Sequence, residues 1–172
     1  MYDELTQVDI DKMKEEIDYR VRTLRPKLIE EVQRCREFGD LSENFEYKCA
    51  KRDKNKNDSR VRYLERMIKT AKVIEVKTLE EKTEEEGISL FDKVTIFNEM
   101  TGKEMNLQIV TTLRQNVLIG LISPESPVGR ALMGHHVGDR VQVEVSPQSK
   151  YFVQIRSTEK GEDDTSMEIS AY

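Results

Sequence analysis

The sequence has no tryptophan, only two cysteines and no long apolar run. Without about 20 consecutive apolar residues, it offers no candidate for a membrane-spanning helix, and no membrane partner is expected. Residues 1–4 lack the basic and apolar regions of a secretory signal peptide. Two cysteines, Cys35 and Cys49, are too few for a disulfide framework, so a reducing cytoplasm is the expected location.

Several kinds of catalytic motif are also missing from the sequence. We find no glycine-rich phosphate loop, no zinc-ligand spacing and no arrangement of nucleophile and base. His135 and His136 are the only histidines, and neighbouring side chains on a turn point apart. The pair is therefore a poor candidate for a metal site.

Charged residues are abundant, at 35% of the chain, whereas aromatic residues make up 6%. This composition favours an extended helical part with a small globular part over one compact body. The net charge is −5, yet the segment from Lys48 to Lys72 holds ten basic residues against Asp53, Asp58 and Glu65. A basic segment on an acidic protein indicates a local anionic partner.

Two long stretches with a helical pattern flank a short polar segment at residues 39–44. Apolar residues recur at every third or fourth position in residues 8–38 and again in residues 43–76. Pro26 interrupts the first stretch and predicts a kink there. Two long helices joined by a short turn predict an antiparallel coiled-coil hairpin over residues 1–76, with residues 39–44 at its tip.

Three residues on the hairpin arms raise separate questions. Asn57 is the polar exception in the apolar stripe of the second helix, where it could fix the register at some cost in stability. Cys35 and Cys49 lie on opposite arms near the tip and could approach one another. A functional redox pair is the less favoured interpretation, because disulfides are rare in the cytosol.

The tip carries two carboxylates, Asp40 and Glu43, three residues apart. One interpretation is a capping box, in which Asp40 caps the second helix and Glu43 reaches back to the N–H group of the cap residue; Ser42 is an alternative cap. The other interpretation is metal chemistry, because Mg²⁺ prefers oxygen ligands and is usually held by one or two carboxylates together with phosphates. Two carboxylates could complete a site that another macromolecule supplies in part.

Behind the tip, basic residues follow one another at intervals of four. They are Lys48, Arg52, Lys56 and Arg60. Like charges at this spacing repel each other, which favours an external anion and predicts a nucleic-acid-binding stripe; a solvated helix face is the alternative. Phe45 and Tyr47 lie one turn from the tip, where they either pack across the hairpin or stack on a base of a single-stranded nucleic acid.

The remainder of the chain predicts a small globular domain. Residues 77–88 are acidic and indicate a linker. From residue 89 the apolar period changes to two, with strands beginning at Val94, at Met105, across 117–122, at Val141 and at Tyr151, and a short helix at 126–133. We expect an α+β domain over residues 89–156, followed by a loose acidic tail over residues 157–172.

At Gly39-Asp40-Leu41-Ser42-Glu43-Asn44-Phe45-Glu46-Tyr47 the sequence resembles the bacterial transcript-cleavage factors GreA and GreB. The resemblance covers roughly residues 5–156 and extends to Ile122-Ser123-Pro124-Glu125-Ser126-Pro127 and Val137-Gly138-Asp139. Arg60-Val61-Arg62-Tyr63-Leu64 is more similar to GreB, whereas the tip is closer to GreA. The chain departs from the family at Phe45, where a small residue is common, and in its acidic tail.

The resemblance implies a fold and a function. The fold is an antiparallel coiled coil followed by an FKBP-like domain. The function is that of a monomeric transcription elongation factor, which is itself not an enzyme. Its coiled coil enters the secondary channel of RNA polymerase, and the polymerase's own active site then cleaves the 3′ end of backtracked nascent RNA.

The resemblance also assigns roles to residues. Asp40 and Glu43 would help to hold a Mg²⁺ ion and an attacking water, with the ion shared with the polymerase and not bound by the isolated protein. Ser42, Asn44 and Tyr47 would support the tip. The segment Glu125-Ser126-Pro127 would dock on the rim of the channel.

Two other functions stay open at this point. The first is a regulator that occupies the same channel without stimulating cleavage, against which the intact pair Asp40 and Glu43 argues. The second is a prolyl isomerase, suggested only by the expected FKBP-like domain. Because fold does not imply function, and because the C-terminal region has few aromatic residues for a pocket, the isomerase is the least favoured.

Overall fold

The computed structural model describes residues 4–37, 45–83 and 86–169. The chain divides into two compact units, of which one comprises residues 10–71 and the other comprises residues 4–9 together with the chain from Lys72 onward. Among the described residues, no helix combines the length and the hydropathy that crossing a bilayer requires.

The first unit is a helical hairpin. Its elements are α1 (Gln7–Tyr19), a π-helical turn (Arg20–Leu24), α2 (Arg25–Arg36) and α3 (Phe45–Thr70). The first turn of α1 belongs to the second unit. The arms run antiparallel, since Glu16 contacts Arg60 while Arg20, farther along the first arm, contacts Asn57. The apolar side chains that face between the arms include Cys35, Ala50 and Leu64, all buried.

The irregularity predicted at Pro26 takes the form of the π-helical turn. Pro26 lies in the first turn of α2, and the N–H group of Arg25 bonds to the carbonyl of Arg20, five residues back. Proline has no N–H group, and its ring clashes with the carbonyl four residues earlier. The wider turn before Pro26 is the kind of local bulge that relieves such a clash within an otherwise continuous helix.

The second unit is an α+β domain. Its strands and helix are β1 (Glu4–Leu5), β2 (Lys72–Val73), β3 (Lys93–Asn98), β4 (Lys103–Ile109), β5 (Leu121–Ile122), α4 (Pro127–Leu132), β6 (Arg140–Ser146) and β7 (Ser149–Glu159). Strands β1 and β2 form a parallel pair, and the other five form one sheet in the order β5-β4-β3-β7-β6. Only β4 and β5 are parallel in that sheet. The hairpin followed by an α+β domain confirms the predicted fold class.

The core of the second unit lies on one face of this sheet. Alternate residues of β3, β6 and β7 point inward, among them Val94, Ile96, Val143, Val153 and Ile155, and Leu132 of α4 packs with them. The period of two in the sequence therefore corresponds to a half-buried sheet, as expected.

The element boundaries differ from the sequence prediction at both ends of the domain. Helix α3 ends at Thr70, and the next residues enter β2 beside β1, whereas the pattern predicted helix to residue 76. Strand β7 extends to Glu159, because residues 157–159 pair with β3. The tail beyond residue 156 is thus part of the sheet at its start.

Two buried ion-pair clusters tie the predicted linker and tail to the domain. Asp92 is fully buried and accepts hydrogen bonds from Lys82 (2.8 Å) and Lys160 (3.2 Å). Burial alone would raise the pKa of Asp92, but hydrogen bonds from Lys82, Ser89 and Gly161 outweigh it and hold the pKa below 3.8. The assigned linker and tail are therefore anchored at Lys82 and Lys160.

The second cluster is centred on Arg114, which is also fully buried. Its guanidinium donates to Asp9 and Asp163, each at 2.6 Å, and to the carbonyl of Asp164 at 3.0 Å. Asp9 and Thr6 also form a reciprocal capping box at the start of α1. Asp163, assigned to a loose tail, is thus held by a charged contact to the domain.

The predicted strand across 117–122 is correct only in its second half. Val117–Ile119 form a 3₁₀ turn, and only Leu121–Ile122 join the sheet. The side chain of Asn116 accepts a hydrogen bond from the N–H group of Leu118, and Gly120 has a φ of 79°. An apolar run with a capping asparagine before it and a left-handed glycine inside it therefore makes a turn.

Candidate functional site

The acidic tip predicted as the chemical centre lies outside the described residues. This applies to Asp40, Ser42, Glu43 and Asn44. The roles assigned to these four residues stay predictions. The described part of the second arm begins at Phe45, so the residues directly behind the tip can be placed.

Three of the four predicted basic residues lie exposed along one face of α3. They are Lys48, Arg52 and Lys56, which border a shallow surface groove of about 550 Å³ together with Lys51, Asn55 and Ser59. Residues four apart lie one above the other on a helix, so the three cations form a continuous row. The prediction omitted Lys51, which the same period places beside Lys48.

Acidic neighbours do little to neutralise this row. Arg52 has one exposed ion pair, with Asp53 at 3.5 Å, and exposed pairs of this kind are weak. Asp58 is occupied by Lys54 (2.8 Å) and Arg25 (3.3 Å). Glu46, in the first turn of α3, lies near Arg34 and Cys35 of the opposite arm. Lys48 and Lys56 form no ion pair with any residue that the structure describes. We refer to Lys48, Arg52 and Lys56 as the basic row.

Arg60 does not belong to the basic row, which corrects the sequence prediction. Its side chain is only 6% exposed and turns inward. The guanidinium donates two hydrogen bonds to the carboxylate of Glu16, from Nε at 2.9 Å and from an Nη atom at 3.0 Å. Periodicity alone assigned Arg60 to the exposed face, but a carboxylate on the opposite arm, 44 residues away, draws it into the hairpin.

Glu16 receives a third hydrogen bond, from Nε of Arg20 at 2.6 Å. Burial of Glu16 would raise its pKa, but hydrogen bonds from Arg60 and Arg20 outweigh burial and hold the pKa below 4.5. Arg20 also contacts Asn57, which accepts from its guanidinium at 3.2 Å and donates to its carbonyl at 3.4 Å. This polar cluster links the two arms at one register, the role predicted for Asn57 alone.

The two aromatic residues near the tip differ in their surroundings. Tyr47 is half-buried and lines a groove with Ile29 and Val32 of the opposite arm, and the ammonium of Lys51 lies 5.9 Å from its ring centroid. Tyr47 therefore lies on the side of α3 that faces the first arm, and the support role expected of it stays a prediction. Phe45 is 76% exposed, so its ring does not pack in the hairpin.

The predicted docking segment forms the start of α4. Ser126 is the N-cap: its hydroxyl accepts from the N–H group of Gly129 at 3.0 Å and donates to the carbonyl of Ser123 at 2.7 Å. Pro127 occupies the first turn and is exposed, and Glu125 is exposed and pairs with Arg130 at 3.0 Å. The hydroxyl of Ser126 is thus committed to the loop, whereas Glu125 and Pro127 are exposed, and the docking role of the segment stays a prediction.

The structure brings no metal-binding cluster together in the described part of the chain, where no three histidine, cysteine, aspartate or glutamate side chains gather. No disulfide joins the two cysteines: Cys35 is buried and Cys49 is partly exposed. Burial, followed by the nearby carboxylates of Glu31 and Glu46, raises the pKa of Cys35 above 9.0. A raised thiol pKa makes Cys35 less reactive, which gives no support to a redox role.

Two family models match the chain and together cover most of it. The model described as "Transcription elongation factor, N-terminal" matches residues 4–73, and the model described as "Transcription elongation factor, GreA/GreB, C-term" matches residues 82–160. The chain belongs to the GreA/GreB family of transcription elongation factors. The first match contains the hairpin with the basic row, and the second contains the five-stranded sheet and α4.

Curated relatives agree with this family. The chain is 38% identical over 141 residues to transcription elongation factor GreA of Thermoanaerobacter pseudethanolicus. The matched segment covers 82% of this chain and 87% of the relative. The chain is also 36% identical over 148 residues to GreA of Rhizobium etli, covering 86% of this chain and 91% of the relative. The resemblance found in the sequence is therefore confirmed at the level of the GreA/GreB family.

Solved structures of related proteins are also similar to the chain. GreA factor homolog 1 (Gfh1) of Thermus thermophilus is 23% identical with a TM-score of 0.42, covering 93% of this chain and all of that one. A GreA/GreB factor of Nitrosomonas europaea is 24% identical with a TM-score of 0.38, covering 59% of this chain and 78% of that one. The family assignment rests on the sequence matches alone.

Proposed function

We propose that this GreA/GreB-family chain stimulates RNA polymerase to cleave the 3′ segment of a backtracked nascent RNA. The observation that carries the proposal is the basic row on α3. Three exposed cations lead away from a tip whose sequence holds Asp40 and Glu43, and Lys48 and Lys56 lack ion pairs with described residues. A row of cations behind two carboxylates suits an anionic polymer whose end reaches a metal-dependent site.

The donor chemistry of the tip fits Mg²⁺. Asp40 and Glu43 supply carboxylate oxygens, the ligands that this ion prefers, and two such groups are the usual protein contribution where phosphates complete the site. When bound, Mg²⁺ supplies a Lewis acid that makes a coordinated water more nucleophilic. In this proposal the ion is shared with the polymerase, and neither carboxylate needs to bind it alone.

Each group of residues has one task in the proposed reaction. Asp40 and Glu43 hold and orient the attacking water, with Ser42 and Asn44 shaping the tip and Tyr47 fixing the arms behind it. The basic row binds the phosphates of the extruded RNA. The polymerase supplies the rest of the active site, so in this proposal the chain is an activator and not itself an enzyme. We further propose that it acts as a monomer and in the cytoplasm.

Glu125 and Pro127 complete the proposal as a docking surface on the second unit. Both are exposed, and the N-cap hydrogen bonds of Ser126 fix the loop between them. A rigid exposed loop loses little conformational entropy on binding. We assign this surface to the rim of the polymerase's secondary channel.

Cleavage of stalled, backtracked elongation complexes tests the proposal. Labelled RNA is followed with and without the chain, and then with Asp40→Asn or Glu43→Gln. Asparagine caps a helix about as well as aspartate, and glutamine keeps the capping-box partner, so both variants preserve the local cap while removing the charge that Mg²⁺ favours. At saturating protein, the single-turnover rate should fall about tenfold or more. A tenfold fall corresponds to a loss of about 1.4 kcal/mol of transition-state stabilisation.

Circular dichroism and a polymerase-binding assay accompany the rates. Both variants should retain helicity and binding. Parental rates in both variants would leave Asp40 and Glu43 as caps only. A parent that binds polymerase without stimulating cleavage would instead support the alternative, a regulator that occupies the channel without a catalytic contribution.

A further inference from the structure

Phe45 is the one aromatic residue of α3 whose ring is left largely in solvent. Its exposed fraction is 76%, while Tyr47 and Tyr63 on the same helix are half-buried. Tyr47 lines a groove together with Ile29 and Val32 of the opposite arm. The phenylalanine ring therefore adds nothing to the hairpin core, and its faces are accessible to a partner.

Phe45 also lies on the helix face of the basic row. The steps from Phe45 to Lys48, to Arg52 and to Lys56 are three, four and four residues, the spacing that keeps side chains on one face of a helix. With a rise of about 1.5 Å per residue, this face extends about 17 Å from Phe45 to Lys56. An exposed aromatic ring thus stands at the tip end of a row of cations.

Aromatic rings combined with a basic groove are the usual means of binding single-stranded nucleic acid. The cations follow the phosphates, and the ring stacks on a base, which is possible for every base because each has a π-face. The groove bordered by the basic row contains the polar side chains of Asn55 and Ser59 and no apolar side chain. The polar ends of these side chains can donate hydrogen bonds to phosphate and ribose oxygens.

We propose that the ring of Phe45 stacks on one base of single-stranded RNA whose phosphates lie along Lys48, Arg52 and Lys56. The inference rests on the proposed function, which supplies the RNA. It adds a contact to a base, whereas the basic row contacts phosphates alone. It makes Phe45 a positioning residue, which holds the RNA segment next to the tip and takes no part in the chemistry.

Removal of a single base from the RNA tests this contact directly. Backtracked complexes are prepared with natural RNA or with one abasic nucleotide placed in turn at each position of the extruded segment. Cleavage is measured at subsaturating protein for the parent, Phe45→Ala, Phe45→Leu and Phe45→Tyr. Because Phe45 is exposed, these substitutions leave the hairpin packing unchanged.

The parent should lose about fivefold or more of its activity when the base is missing at one particular position. Phe45→Ala should show the same loss on natural RNA and no additional loss on that abasic RNA. Phe45→Tyr keeps the ring and should behave like the parent, whereas Phe45→Leu keeps apolar bulk without a planar π-face and should resemble Phe45→Ala.

Two results would overturn the inference while leaving the proposed function intact. If Phe45→Ala reduced activity equally on natural and abasic RNA at every position, the ring would contact the polymerase and not a base. If Phe45→Ala cleaved natural RNA like the parent, the ring would be an exposed side chain without a role in cleavage.

If the parent does not stimulate cleavage, the proposed function fails and the cleavage assay cannot test the ring of Phe45. A second measurement then tests base stacking without the polymerase. The sequence has no tryptophan, so Phe45→Trp introduces a single tryptophan, which can be excited at wavelengths where the six tyrosines absorb little. Quenching by a natural oligoribonucleotide, but not by the same oligonucleotide made abasic throughout, would support stacking without any polymerase. Fluorescence that responds equally to both, or to neither, would then overturn it.

Discussion

The buried pair of Arg60 and Glu16 gives a measurable test of how the hairpin is held together. Arg60→Met removes the guanidinium but keeps a side chain of similar length in the same space. It deletes the hydrogen bonds of 2.9 and 3.0 Å to the Glu16 carboxylate, which among the described contacts keeps the 2.6 Å bond from Arg20. The perturbation therefore weakens the partners of a carboxylate that is 18% exposed.

The expected cost follows from the partners that remain. Removing one member of a buried ion pair costs about 3–5 kcal/mol when the other charge is left without a partner. Since Glu16 retains Arg20 and some solvent contact, we expect the smaller value of about 2–3 kcal/mol, close to the loss of one or two hydrogen bonds to a charged group. Replacing both residues, in Glu16→Leu with Arg60→Met, should cost less than the sum of the single changes.

Urea unfolding followed by circular dichroism at 222 nm measures the effect, since most of the helix lies in the hairpin. Arg62→Met is the matched control: Arg62 lies two residues along the same helix, is exposed, donates a hydrogen bond to Ser59 and forms no ion pair with a described residue. This control should change the free energy of unfolding by about 0.5 kcal/mol or less. A loss in Arg60→Met that is no larger than in Arg62→Met would refute a stabilising role for the buried pair.

Lowering the pH provides an independent check on the same pair. The pKa of Glu16 is lowered in the folded state, so its contribution to stability is complete above the unfolded pKa of about 4.3 and is lost as the pH falls through the folded pKa. Arg60→Met removes one cause of the lowered pKa. We would repeat the urea unfolding between pH 5 and pH 3. Over this range the free energy of unfolding should fall more in the parent than in Arg60→Met.

Three further predictions concern the basic row, the docking surface and the second unit. Replacing Lys48, Arg52 and Lys56 together by alanine should impair cleavage most at low salt. It should reduce the slope of log activity against log salt by about 2, because three phosphate contacts are lost. The control is a triple-alanine variant farther along α3, at Arg62, Arg66 and Lys69, and an equal reduction of the slope in this control would argue against a specific role of the row. Pro127→Ala should raise the protein concentration for half-maximal cleavage about fivefold, as for a contact worth about 1 kcal/mol, without changing the saturated rate; a defect that persists at saturation would contradict docking. Asp92→Asn should destabilise the second unit by about 3–5 kcal/mol at pH 7, because Lys82 stays buried without a carboxylate; hydrogen exchange of β3 and β7 measures this, and unchanged protection would contradict it. Although burial alone would raise the pKa of Asp92, its hydrogen bonds lower that pKa in the folded state, so the parent should keep this stabilisation above the unfolded pKa of about 3.9 and lose it as the pH falls through the folded pKa.

Regular patterns in the sequence predict the fold well where neighbouring residues decide the structure. The period of the apolar residues predicts both arms, and the alternation in β3, β6 and β7 predicts the sheet. Pro26 predicts an irregular turn because its effect depends only on the residues just before it. The turn at Val117–Ile119 was the exception, since its apolar residues resemble a strand and Asn116 and Gly120 decide otherwise.

Contacts between distant residues were the part that the sequence did not predict. Lys82 appeared to lie in a linker and Asp163 in a loose tail, yet their partners Asp92 and Arg114 lie 10 and 49 residues away. Composition correctly identifies both segments as polar and charged. It does not indicate that a few of those charges are buried in pairs, because burial depends on which residues the sheet brings beside them.

The distribution of carboxylates decides which cations of α3 are available to a partner. Glu16 on α1 binds Arg60, and Asp58 binds Lys54 and Arg25, so three of the cations around the hairpin are occupied by fixed anions. Lys48 and Lys56 have no such anion among the described residues. The count of ten basic residues between Lys48 and Lys72 therefore overstates the number that are available to an anionic partner. Exposed cations without an ion pair to a described acid remain at both ends of α3, at Lys48 and Lys56 and again at Arg62, Arg66 and Lys69. The comparison of the two triple-alanine variants therefore decides whether the proposed RNA contact belongs to the basic row or to the charge of the whole helix.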